Sequence, residues 1–153
     1  MTHTVLIRKY VDMNLDSGTG GEEMVELNKN QKKAVETIDK NVSVNAGAGS
    51  GKTKVLVERY LYILENGKID EGKEVDSIVA ITFTKKASQE MKERIRDELR
   101  NKFSLDKKWR RIYRDLERGN ISTIHSFCSK ILRENPVEAN IDPQFKVLED
   151  YKS

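Results

Sequence analysis

The sequence predicts an α/β fold organised around a parallel sheet, and three observations predict it. Short β-prone runs alternate with helix-length segments whose apolar residues recur every three to four positions. One run, Ser77-Ile-Val-Ala-Ile-Thr-Phe83, is continuously apolar in the way of strands covered on both faces. A glycine-rich stretch at residues 46–53 lies between a β-prone run and an apolar helix, and such alternation is what parallel sheets with helical crossovers require.

The elements follow in order. Ser17, Gly18, Thr19, Gly20 and Gly21 make a flexible break that sets residues 1–26 apart as an N-terminal extension of unassigned role; Val5, Ile7 and Val11 allow a short strand there. The remainder, residues 27–153, reads as one unit. Ala34, Val35 and Ile38 give one apolar face to a helix for which Asn28 is the natural N-cap. Val42-Ser-Val-Asn-Ala46 is a short strand candidate leading into the glycine loop, and Val55, Leu56, Val57, Tyr60, Leu61, Ile63 and Leu64 mark a largely buried helix after it. After the apolar strand, Ala87, Met91, Ile95 and Leu99 recur every fourth residue and share one helix face. Trp109, Ile112, Tyr113 and Leu116 repeat that pattern, Asn120–Thr123 is weakly strand-like, and Phe127, Cys128, Ile131 and Leu132 mark a last helix ending near Pro136. There is no internal repeat and no low-complexity tract.

Composition narrows the class. A chain of 153 residues can bury one core, and 37% hydrophobic with 35% charged residues fits a soluble globular protein with a charged surface. No apolar run approaches the roughly 18 residues needed to cross a bilayer, and the first ten residues lack the apolar stretch of a secretory signal, which points to a cytoplasmic protein without a membrane segment. Cys128 is the only cysteine, so an internal disulfide and a clustered cysteine metal site are excluded, and a small buried thiol is expected. Net charge is +3, yet residues 85–118 hold thirteen Lys and Arg against seven Asp and Glu. That stretch is either a solvated helix face or a surface for a polyanion.

Ala46-Gly47-Ala48-Gly49-Ser50-Gly51-Lys52-Thr53 has the composition of a phosphate-binding loop for a nucleoside triphosphate, ATP in first place. Small residues let backbone N–H groups converge on phosphate oxygens, and the helix starting near Lys52 adds its positive dipole end. Lys52 is placed to reach the β and γ phosphates, and the Thr53 hydroxyl to ligate the Mg²⁺ that bridges them. Ala46 stands where the strict pattern has its first glycine, a change of one methyl group.

Three further segments resemble superfamily 1 helicases of the UvrD/Rep type. Leu27-Asn-Lys-Asn-Gln31-Lys-Lys-Ala34-Val35 is similar to their Q motif, which implies that Gln31 reads the adenine edge; Asn28 and Gln31 also have the N-cap and N3 spacing of a capping box. Thr82-Phe-Thr-Lys-Lys-Ala-Ser88 resembles motif Ia, with Lys85 and Ser88 in place of the usual Asn and Ala. The resemblance implies contacts to single-stranded DNA from Thr82, Phe83, Thr84 and Lys86; Phe83 read alone could equally belong to the core. Ile121-Ser-Thr123-Ile-His125-Ser126-Phe-Cys128 resembles the T-x-H-S-F element, implying backbone contacts from Thr123, His125 and Ser126, while Thr123 or Ser126 could also serve as a helix cap.

The wording Ser-Thr-Ile-His-Ser-Phe-Cys, followed by Ile141-Asp-Pro143-Gln-Phe145, is similar to AddA-type helicase-nuclease proteins and their RecB-like relatives. The resemblance covers about residues 27–150. It implies an incomplete P-loop NTPase domain of the RecA-like, three-layer kind with a parallel sheet. It also implies ATP and Mg²⁺ as ligands, and two partners: single-stranded DNA and a second helicase-nuclease subunit. No catalytic residue is identifiable: the carboxylate, water-positioning group and arginine that hydrolysis needs are missing, and Glu149-Asp150 has the reverse order of the family's Asp-Glu motif. Two readings of the chain follow, the N-terminal part of an ATP-driven DNA helicase or a truncated nucleotide- and DNA-binding module without turnover. A P-loop ATPase unrelated to DNA is the third.

Overall fold

The structure is a computed structural model that describes residues 5–7, 27–45, 47, 49–102 and 106–147. Its centre is a parallel three-stranded sheet in the order β1 (Val5–Ile7), β2 (Ile78–Thr82), β3 (Asn120–Thr123). Val5 stands opposite Ile78 and Ile7 opposite Ala80; on the other edge Val79 faces Asn120 and Thr82 faces Thr123. Because the strands are parallel, β2 and β3 end side by side. The expected short strand at Val5 and Ile7 forms, and Val11 lies outside the described residues.

Helices fill the connections: α1 (Lys29–Glu36), α2 (Lys52–Asn66), α3 (Lys85–Asn101), α4 (Lys107–Asp115) with a 3-10 turn at Leu116–Arg118, α5 (Ile124–Glu134) and the short α6 (Pro136–Ala139). Every predicted helix is present. Helix α3 turns Met91, Ile95 and Leu99 inward, and they meet Val57, Tyr60, Ile63 and Leu64 of α2, Ile78 and Ala80 of β2, and Trp109, Ile112 and Leu116 beyond. Nearly all of these side chains are inaccessible, so this cluster supplies most of the apolar burial. Burial pushes the Tyr60 phenol far above its usual range, which keeps it neutral. The buried Glu74 is matched by Arg111 of α4, whose Nη2 donates to it at 2.6 Å while Nη1 reaches Glu71 at 2.8 Å. That fork ties the loop before β2 to α4.

A second, smaller cluster consists of Ala34 and Val35 of α1 and Val55 of α2, with Leu27, Val42, Val44 and Tyr62 half-buried against it. Here one expectation fails. The segment 42–46 forms no strand; Asn45 makes a single isolated bridge, and Ala46 lies outside the described residues. Both edges of β2 are occupied by β1 and β3, so Val42 and Val44 lack a ladder partner there. They keep their alternation by packing on α1 and α2 instead.

The last helix also departs from expectation. Helix α5 forms, but none of its residues is buried: Ile131 and Leu132 are exposed and Phe127 is half-buried. Cys128, expected as a buried thiol, is exposed for the same reason. Its apolar stripe has the predicted spacing, but no described element covers it.

Much of the basic stretch is answered by acids. Lys86 pairs with Glu90, Lys92 and Arg96 with Glu117, Arg100 with Asp97, Lys102 with Glu65, and Arg118 with Asp76 and Asp115. A solvated, internally paired surface accounts for these cations. Among the described residues no helix is long and apolar enough to cross a membrane, and no group of three or more His, Cys, Asp or Glu could hold a metal ion.

Candidate nucleotide site and strand-end surface

The glycine loop enters α2 through two residues in the left-handed region, Gly49 at φ 77° and Gly51 at φ 76°. Only glycine adopts this conformation without cost, and it lets successive backbone N–H groups turn to one side, the arrangement from which anion nests are made. A Cβ at Gly47 or Gly49 would meet nothing within 4 Å, so the concave side of the loop is open. Ser50 is buried and closes the turn, with its hydroxyl donating to the Gly47 carbonyl at 2.7 Å. Lys52 Nζ is folded back onto the same carbonyl. Gly51, the N-cap of α2, gives no side-chain cap, and no acidic residue occupies the first turn. An anion at this end therefore meets the dipole of a fifteen-residue helix and no competing carboxylate. Loop curvature, Lys52 and the Thr53 hydroxyl together fit a Mg²⁺-bound triphosphate. Ala46 and Ala48, also expected in the loop, lie outside the described residues.

Gln31 does two things at once. Its backbone N–H donates to Asn28 Oδ1 at 2.9 Å and its Oε1 accepts from the Asn28 N–H at 2.8 Å, a complete capping box. Its Nε2 donates to the Ser50 carbonyl in the glycine loop at 3.3 Å. The amide lies so near Gly51 that a Cβ there would approach it to 3.3 Å. The capping reading of Gln31 therefore holds, and the same side chain touches the loop. The structure thus brings Gln31, Ser50, Gly51 and Lys52 together.

A second group collects where β2 and β3 end. Thr82 and Thr123, paired in register, are buried, at 6% and 8% exposure. The Thr82 hydroxyl donates to the Thr84 carbonyl at 3.0 Å, and Thr84 Oγ1 accepts from the Ala87 N–H at 3.0 Å as the N-cap of α3. In the same way Thr123 Oγ1 accepts from the Ser126 N–H at 3.3 Å and shares a hydrogen bond with the Ser126 hydroxyl, capping α5. The caps expected of Thr123 and Ser126 are present. Phe83, however, is no core residue: it is 84% exposed at the very end of β2. Lys86, His125 and Ser126 are exposed beside it on the first turns of α3 and α5. Helix α2, packed on both α1 and α3, links this group to Gln31 and the glycine loop.

Sequence reasoning missed Arg59. From α2 it donates through Nη1 to the carbonyls of Ala34 at 2.5 Å, Val35 at 3.4 Å and Thr37 at 2.7 Å. The available signal was an arginine one turn beyond the buried Val55 in an otherwise apolar helix.

Comparison with known proteins accords with this arrangement. The chain is 42% identical over 124 residues to the ATP-dependent helicase/nuclease AddA protein of Ligilactobacillus salivarius, a match covering 77% of this chain and 10% of that protein. The proteins of the same name from Lactobacillus gasseri and Clostridium kluyveri are 42% and 40% identical over 130 and 126 residues, or 83% and 80% of this chain. The chain spans about a tenth of the length of these relatives. The family model of the UvrD/REP helicase N-terminal domain matches residues 27–153, from just before the Asn28 cap through the glycine loop and both strand ends. With the capped glutamine seated against its phosphate loop inside that match, the chain belongs to the UvrD/REP helicase N-terminal domain family.

Proposed function

We propose that this chain is the N-terminal ATP-binding portion of a DNA helicase of the helicase-nuclease type, which couples ATP hydrolysis to movement along single-stranded DNA during double-strand-break repair. The observation that carries the reading is the hydrogen bond from Gln31 Nε2 to the Ser50 carbonyl, because it sets a base-reading candidate against a phosphate-reading loop. Residues 27–153 are then the partial motor domain, with the parallel sheet as part of a three-layer RecA-like sandwich. Residues 1–26 are an extension to it.

In this reading the N–H groups of residues 47–52 cradle the triphosphate, and Lys52 leaves the Gly47 carbonyl to meet the β and γ oxygens. Thr53 ligates Mg²⁺, whose charge neutralises the bridging phosphate oxygens when it is bound. Gln31 turns its amide toward the adenine edge. At the strand ends, Phe83 offers a face for base stacking while Thr84, Lys86, His125 and Ser126 meet the DNA backbone; the buried Thr82 and Thr123 hold the turns that present them. A second helicase-nuclease subunit is the expected protein partner. The 153-residue chain itself binds without turning ATP over, because it carries no identifiable carboxylate and arginine for hydrolysis.

The test uses a labelled single-stranded oligonucleotide and the 153-residue chain. Binding is expected to weaken steeply with salt, and Phe83→Ala to reduce it by about fivefold or more, the usual worth of one stacked base. Absent binding, or binding indifferent to both changes, would favour a P-loop ATPase unrelated to DNA. A steady-state ATPase assay with the same oligonucleotide is expected to show no robust turnover by this chain.

A further inference from the structure

Helix α1 has only eight residues and buries only Ala34 and Val35, too little to hold a two-turn helix in a fixed attitude by packing alone. Two polar tethers supplement that packing. One is the bond from Gln31 to the Ser50 carbonyl near its N-terminal end. The other is Arg59, which reaches the opposite end and donates to the carbonyls of Ala34, Val35 and Thr37.

Those acceptors belong to the end of α1. The Lys33 carbonyl is already taken by the Thr37 N–H at 3.2 Å and the Thr37 hydroxyl at 2.8 Å, whereas those of Ala34 and Val35 have no further helical turn to serve them. A guanidinium also complements the negative end of the helix dipole. Partial burial lowers the pKa of Arg59 and no carboxylate raises it, so its task is to hold carbonyls rather than to form an ion pair. Arg59 lies about two turns along the same rigid helix that begins at Lys52.

We propose that Arg59 is a positioning residue: by gripping the end of α1 from the helix that carries Lys52, it fixes the spacing between Gln31 and the phosphate loop and so sets the preference for an adenine nucleotide over a bare polyphosphate. The inference rests on the nucleotide-binding reading above. It makes Arg59 touch neither base nor phosphate; it acts through α1. Removing the grip leaves the loop and Lys52 intact but lets Gln31 wander from the base.

Calorimetric titration of the full chain with Mg-ATP and, separately, with Mg-tripolyphosphate tests this. In the wild type, ATP is expected to bind more tightly than tripolyphosphate. Arg59→Ala should weaken ATP by about tenfold, the worth of one or two charge-assisted hydrogen bonds, and leave tripolyphosphate within about twofold. Arg59→Lys, which keeps a charged donor but not the fork, should recover part of the difference and stands in for the alanine variant if circular dichroism shows that variant unfolded. Selectivity in the wild type that survives both substitutions, or a parallel loss of both ligands in a folded variant, would overturn the proposal. A wild-type chain that binds neither ligand, or both equally, would instead remove the base-reading premise beneath it.

Discussion

Helix α2 has neighbours of unequal weight. Toward α3, β2 and α4 it contributes Val57, Tyr60, Leu61, Ile63 and Leu64 to a continuous apolar core, reinforced by Lys102 on Glu65 and by Lys108 Nζ on the Leu64 carbonyl. Toward α1 it meets two buried side chains through Val55, and polar bonds from Gln31 and Arg59 do the rest. The first side is held by burial that is lost only with the fold. The second is held by hydrogen bonds that can be exchanged one at a time, which is what a loop that must admit and release a nucleotide requires.

Deleting apolar volume from the large side should have the greatest effect on stability. Leu99→Ala, at a fully buried position of α3, is expected to cost about 2–5 kcal/mol in chemical denaturation. Hydrogen exchange sharpens the same contrast, since amides of α3 should exchange only on global unfolding and those of α1 well before it. On the small side, Asn28→Ala removes the capping box and should cost about 1 kcal/mol, with faster exchange confined to α1. Spread of the faster exchange to α3 would show that the two sides are one cooperative unit.

The smallest effect concerns Glu117, on the turn after α4. Hydrogen bonding to Arg96 holds its carboxyl below the ordinary value of 4.5, with Lys92 assisting. A depressed folded pKa adds stability that is present above the unfolded pKa and lost as pH falls through the folded one. Because the carboxylate is largely exposed, the contribution should be under about 1 kcal/mol. Glu117→Gln should remove that part of the acid-side decline below about pH 4.5 and leave α1 exchange unchanged.

How far these regions were legible in the sequence follows the same division. The large side was readable because periodic burial leaves a periodic pattern: Met91, Ile95 and Leu99 fell on one face and are buried there. The capping box was readable because Asn28 and Gln31 are three residues apart. The strand at 42–46 was misjudged because β-prone alternation cannot say whether a neighbouring edge is available, and β2 had none left. Phe83 was ambiguous because one residue decides whether a side chain is the last of a buried strand or the first beyond it. Arg59 was invisible because its partners are backbone carbonyls more than twenty residues away, which no side-chain pattern announces.

The central claim is that the loop from Gly47 to Thr53 holds the phosphates of ATP, with Lys52 as its cation. Calorimetric titration of Mg-ATP into the 153-residue chain and its Lys52→Ala variant tests it most directly. Saturable binding by the wild type, weakened at least about tenfold in a variant that remains folded, is the predicted result. Equal affinity in the two proteins would contradict it.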